Sequence, residues 1–137
     1  MTTAREIMTP DVTCVGERET LADAARKMAD LGVGSLPICG EDNRLKGMVT
    51  DRDIVVKALA KGRNPGEVTA GELGAGKPVT IGADDDTAAI LRTMSQHKVR
   101  RLPVIDGHQL IGIVAVADVA RALPDRPVGD LIDAISE

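Results

Sequence analysis

The chain has 137 residues, with 17 Lys or Arg against 21 Asp or Glu, a formal charge of −4. That length suits one domain or two small halves, and it buries roughly two thirds of the unfolded surface without metal or disulfide staples, so a folded interior is expected rather than disorder. Apolar residues make up 43 % while Phe, Tyr and Trp are absent, so the interior must be aliphatic, and an acidic chain without stacking platforms is poorly suited to nucleic acid.

Thr3-Ala4-Arg5-Glu6-Ile7 opens the chain and returns as Thr69-Ala70-Gly71-Glu72-Leu73, an offset of 66 positions. A short strand is expected from Val12 to Val15, followed by a helix N-capped by Thr20 with Asp23 as its capping-box partner. Leu21, Ala24, Ala25, Met28 and Leu31 share one face of that helix, and Gly32 supplies the left-handed stop. Strands from Ser35 to Cys39 and from Arg44 to Thr50 flank the turn Gly40-Glu41-Asp42-Asn43, and a second helix begins near Asp51. The stretch from Gly62 to Lys77 holds five Gly and one Pro and reads as a linker containing one helical turn.

The same series then repeats. A strand is expected from Val79 to Ile81, a helix capped by Asp86 and carrying Ile90, Leu91 and Met94, and strands from Arg101 to Ile105 and from Gln109 to Ala115 around Asp106-Gly107. A last helix of the repeat starts near Ala117. Met28 and Met94, and Leu36-Pro37-Ile38 and Leu102-Pro103-Val104, keep the offset of 66, whereas Leu45-Lys46-Gly47-Met48-Val49 and Leu110-Ile111-Gly112-Ile113-Val114 differ by 65. The one-residue slip belongs in the turn, where it is inexpensive. The expected organisation is repeat 1 over 1–62, a linker over 63–77, repeat 2 over 78–124 and a C-terminal helix over 125–137 with Val128, Leu131, Ile132 and Ile135 as its apolar stripe. Each repeat reads as β-α-β-β-α, an α/β (α+β) unit with pseudo-two-fold symmetry, and two such units are expected to bury their sheets against each other.

Chemistry-bearing residues are few. Asp53 falls in the first turn of a helix, where a carboxylate is favoured and offers two acceptor oxygens suited to paired hydroxyls, with the Thr50 hydroxyl at the same mouth. The plainer alternative is that Thr50 or Asp51 caps the helix and Asp53 is a first-turn anion. Asp84-Asp85-Asp86 lacks calcium-loop spacing and reads as capping. His97 at a helix end and His108 in a turn read as solvated, and no spacing supplies three or four metal ligands. With no nucleophile–base pair, no Gly-rich loop with Lys and no metal cluster, an enzyme is not expected. No apolar run is long enough to span a bilayer, and the first residues do not form an apolar leader, so a cytoplasmic protein is expected, with leaderless export left open.

Gly47-Met48-Val49-Thr50-Asp51-Arg52-Asp53, in register with the duplicated Pro-containing strands, resembles the signature of the cystathionine-beta-synthase (CBS) domain, and two copies resemble a CBS pair, or Bateman module, over essentially the whole chain. The resemblance implies a homodimer that binds an adenosyl ligand such as AMP or ATP in a cleft between repeats, to regulate a partner the sequence does not name, with a link to stress. It implies that Thr13, Ser35 and Leu36 line the base, that Pro37 fixes the backbone and that Thr50 and Asp53 meet the ribose. Gly112-Ile113-Val114-Ala115-Val116-Ala117-Asp118 keeps the Gly and Asp118 but has Ala115 where the hydroxyl belongs, so one site per chain is expected. Arg52, Arg100 and Arg101 are the cations nearest the motif for phosphates, and surface pairing is their plainer reading. No cofactor is required and no metal site is expected within one chain, with an intersubunit zinc left open.

In this domain type the strands of Cys14 and Cys39 are neighbours, so the two sulfurs could meet. A bridge closing 25 residues would contribute about 3.5 kcal/mol on the chain-entropy account. A pair of reduced core thiols is the alternative, which a cytosolic setting favours. Cys14 is matched to Ile81 and Cys39 to Ile105 in the other copy. A ligand-free, disulfide-stabilised stress or interaction protein on the same scaffold is the second functional reading.

Overall fold

Apolar residues recurring at helical and strand periods build two cores of aliphatic side chains. A computed structural model describes residues 2–74 and 78–122. In chain order the elements are α1 (Ala4–Ile7), β1 (Thr9–Pro10), β2 (Val15–Gly16), α2 (Leu21–Leu31), β3 (Ser35–Cys39), β4 (Leu45–Thr50), α3 (Asp51–Asp53), α4 (Ala70–Leu73), β5 (Ile81–Gly82), α5 (Thr87–His97), β6 (Arg101–Asp106), β7 (Gln109–Ala115) and α6 (Val116–Ala122). α3 runs on into a π-helical turn, Ile54–Ala58, and a 3₁₀ turn, Leu59–Lys61. Gly62 ends it at φ 72°. The C-terminal helix expected over 125–137 lies outside the described residues.

The chain forms two units. Thr13–Pro78 is the first-repeat unit, with the sheet β2-β3-β4, and Met1–Val12 together with the chain from Val79 on is the second-repeat unit, with the sheet β1-β7-β6-β5. The opening residues therefore pack with the second repeat, not with the first repeat as a division at residue 62 places them. Backbone hydrogen bonds decide this. In the second-repeat unit Ala4 N–H donates to the Asp85 carbonyl and Arg5 N–H to the Ala83 carbonyl, each at 2.9 Å. In the first-repeat unit Ala70 N–H donates to Glu19 at 2.8 Å and Gly71 N–H to Glu17 at 3.0 Å. Each leader helix thus pairs through the same contacts, 66 positions apart.

Both sheets keep one register. Val15 lies parallel beside Ile38, and Ile81 beside Val104. The antiparallel pairs carry the same irregularity, between Ile38 and Cys39 and between Val104 and Ile105. Cys39 opposes Leu45 where Ile105 opposes Leu110, which puts the slip of one residue in the turn. β2 and β5 begin later than expected because only two residues of each make ladder bonds.

Capping follows local chemistry. Thr20 and Asp23 form a capping box, Gly32 closes α2 at φ 68°, and Asp86 caps α5 by accepting from Ala89 N–H at 2.9 Å. Lys98 takes the left-handed position after α5 at φ 53°. Leu21, Met28, Leu36, Ile38, Val49 and Ile54 pack in the first core, and Ile90, Met94, Leu102, Val104, Val114 and Val119 in the second. Each fully buried aliphatic side chain of this kind contributes about 1.5–3 kcal/mol. Ala70 belongs to the first core and Ala4 to the second, so the leader exchange extends to packing.

Candidate functional site

Pairing of β3 with β4 brings Ser35 opposite Thr50 at the point where the strand turns into α3. Thr50 Oγ1 accepts from Asp53 N–H at 3.0 Å, and Asp53 Oδ2 accepts from Thr50 N–H at 3.1 Å. The plainer reading of these residues therefore holds: they form a capping box. Asp53 Oδ1 meets Lys57 Nζ at 3.3 Å, and the Asp53 side chain stays 22 % exposed. A carboxylate has about four lone-pair sites. One backbone bond and one ion pair leave acceptor capacity on both oxygens, with solvent access to use it.

The second copy is closed at this point. Asp118 Oδ2 accepts from Ala115 N–H at 2.8 Å, Oδ1 is held by Arg121, and the side chain is 8 % exposed. Ala115 supplies no hydroxyl to complete the box.

Thr13, Ser35, Leu36, Pro37, Thr50, Arg52 and Asp53 all belong to the first-repeat unit, and Arg100, Arg101 and Asp118 to the second. Thr13, Arg52, Arg100 and Arg101 are exposed, and Ser35 is half-buried. Leu36 is 2 % exposed within the first core. Its side chain is therefore packing, and what it offers a ligand is backbone. Pro37 is also buried. Lys57, which sequence reasoning missed, carried a readable signal: four residues after Asp53 on a helix is ion-pair spacing.

Cys14 and Cys39 form a disulfide, with Cα atoms 5.8 Å apart. The strand register corrects one match, since Ile81 takes the place of Val15 and the counterpart of Cys14 is Thr80. Lys27 Nζ donates to the Cys14 carbonyl at 3.1 Å and to Glu19 Oε1 at 2.8 Å. The Lys27 hydrogen bond, with a further one from Gly16 N–H, holds the Glu19 carboxyl below the usual glutamate range.

An apolar groove of about 470 Å³ runs between the end of α2 and the start of the following helix, lined by Met28, Ala29, Val33, Ile54 and Val55 with Asp51 at its edge. Leu31, Val55, Val56 and Leu59 are exposed in the same unit. In the other repeat the positions of Leu31, Val55 and Val56 hold His97, Ala120 and Arg121. His97 ends α5 and His108 lies in the β6–β7 turn, both exposed. Asp84 meets Arg5 at 3.5 Å and Asp85 accepts from Gly82 N–H at 2.8 Å, so the acidic run is occupied in structural bonds. No group of three His, Cys, Asp or Glu able to hold a metal comes together among the described residues. No helix among them is long and apolar enough to cross a membrane.

The sequence profile of the CBS domain matches residues 4–59 and again residues 70–125. The chain belongs to the CBS-domain family. This CBS pair is 51 % identical over 135 residues to hypoxic response protein 1 of Mycobacterium tuberculosis, covering 98 % of this chain and 94 % of that one. It is 38 % identical over 124 residues to the CBS domain-containing protein YhcV of Bacillus subtilis, covering 88 % and 84 % of the two chains. Among solved structures, Hypoxic Response Protein I, described with two coordinated zinc ions, superposes with a TM-score of 0.84 at 54 % identity over 90 % of this chain and all of that one. CBSX2 in complex with AMP superposes with a TM-score of 0.77 at 26 % identity over 89 % of this chain and 96 % of that one.

Proposed function

We propose that the protein is a regulatory CBS-pair module that takes an adenosyl ligand of the AMP or ATP kind at the Asp53 mouth of its first-repeat unit, in a stress-linked role. The observation that carries this reading is the difference between the two carboxylates: Asp53 keeps an exposed edge beside Thr50 and Ser35, whereas Asp118 is enclosed beside Ala115. Ribose hydroxyls donate to the free lone pairs of Asp53, and aliphatic side chains flank the base in a chain without aromatic rings. AMP on the related CBSX2 and the name of the hypoxic response relative support the ligand class and the stress link. Thermal melts of the native chain and Asp53→Ala with AMP, ATP and adenosine test it. Ligand at 100 times its Kd adds about 2.7 kcal/mol to the native chain and nothing to the variant. A native chain that no adenosyl ligand stabilises overturns the reading.

The second reading is a ligand-free, disulfide-stabilised interaction protein. It is favoured by the capping box and the Lys57 pair, which already give both Asp53 oxygens a structural partner.

A homodimer is part of the proposal. Its face is the exposed set Leu31, Val55, Val56 and Leu59. Acidic Asp51 stands at one end of that helical run and Lys61 at the other, so a second copy laid antiparallel matches charge as well as apolar surface. Light scattering of the native chain and Val55→Glu tests it: a dimer and a monomer are expected, and a native monomer contradicts it.

A further inference from the structure

The Cys14–Cys39 disulfide has an internal control. β5 pairs with β6 in the register in which β2 pairs with β3, but Thr80 and Ile105 stand where the first repeat has cysteines. The matching loop bonds are present in both copies, from Glu17 N–H to the Cys39 carbonyl at 3.2 Å and from Ala83 N–H to the Ile105 carbonyl at 2.9 Å. The topology therefore closes without a covalent link, and the second repeat fills the position of Cys39 with a larger apolar side chain. The first repeat has instead a sulfur bridge from the residue just before a two-residue strand. Lys27 adds a brace to the Cys14 carbonyl, where its counterpart, Thr93, donates its hydroxyl to Ala89 within its own helix.

We propose that this disulfide is a redox latch on one unit only: reduction frees β2 from β3 in the first-repeat unit and leaves the second-repeat unit as it is. The co-reactant is a dithiol. One of its thiolates attacks Cys14 Sγ, the more exposed of the pair, since Cys14 is half-buried and Cys39 is 6 % exposed. The S–S bond breaks and Cys39 leaves as thiolate. The second thiol of the reductant then closes on the first and expels Cys14 as thiolate. The dithiol leaves as a cyclic disulfide, having given up two electrons, and each cysteine takes up one proton. Reduced Cys39 fills less volume than Ile105 does in its twin, and a ladder of two residues is left without its bridge. The unit that loosens is the one that holds Thr13, Ser35, Thr50 and Asp53.

Hydrogen exchange of the native chain with and without dithiothreitol tests this, and it needs no bound ligand. Amides of residues 13–18 and 36–40 are expected to exchange about tenfold faster when reduced, while those of 80–84 and 102–106 keep their rates. Cys14→Thr with Cys39→Ile, the residues of the second repeat, keeps the volume of Ile105 and is expected to give exchange at 13–18 and 36–40 that dithiothreitol does not change. Unchanged exchange in the reduced native chain, an equal rise in both repeats, or a double variant that still responds to dithiothreitol overturns the proposal.

Discussion

A methyl group placed on Gly47 would overlap the carbonyl oxygen of Gly74. The backbone following α4 therefore passes directly over β4, and Gly47, the first residue of the family signature, is a packing residue before it is anything else. Gly112 has the same relationship in the second repeat, where an added methyl would meet the side chain of Met8 and lie 2.8 Å from the Thr9 carbonyl oxygen. The leader of each repeat is thus held down where its sheet has no side chain.

Gly47→Ala is expected to destabilise the protein by about 1–3 kcal/mol, since the atom it meets is backbone and one or the other segment must shift. Gly112→Ala is expected to cost less, because the Met8 side chain can turn away and the Thr9 carbonyl oxygen, 2.8 Å from the added methyl, overlaps it less than the Gly74 oxygen overlaps one on Gly47. Chemical denaturation of both variants checks the order. Equal stability of Gly47→Ala and the native chain would show that the leader is not held at this point.

Half of a capping box stands at the start of α6, with Asp118 bonded to Ala115 N–H but no hydroxyl returning the bond. Ala115→Thr supplies one, at a strand end where Thr is well tolerated. A gain of about 1 kcal/mol is expected, read as a higher denaturation midpoint at unchanged slope.

Glu19 ties three parts of the first-repeat unit together through Lys27, Gly16 and its own carbonyl, which accepts from Ala70. Its carboxyl is held below the usual range, first by Lys27 and then by the Gly16 N–H. The sign follows from linkage: this stabilisation is fully present above the unfolded glutamate value of about 4.3 and is lost as pH falls through the lower folded value. Glu19→Gln is expected to lower stability at neutral pH and to flatten the acid limb between about pH 5 and pH 3. Melts across that range check it. A variant with the native acid limb would contradict the assignment.

The duplication, the α/β class, the Pro-containing strands and the caps at Thr20, Gly32 and Asp86 were legible in the sequence because each depends on side chains close together in the chain. The leader exchange was not. A four-residue helix and a two-residue strand carry almost no periodic signal, and their destination depends on Asp85 and Ala83, about eighty residues downstream of Ala4 and Arg5. The register of Cys14 was missed for a similar reason, since β2 contributes two ladder residues and one position of slip is invisible without the partner strand. At the candidate site, Thr50 and Asp53 were readable from their spacing. The enclosure of Asp118 by Arg121, and the loss of the Leu36 side chain to the core, follow from packing that only the folded unit displays.

Calorimetric titration of AMP into the native protein, beside Asp53→Ala, bears most directly on the role of Asp53. One site per chain is expected for the native protein and none for the variant. Binding that survives the loss of Asp53 unchanged, or no heat from AMP, ATP or adenosine with the native chain, would contradict it.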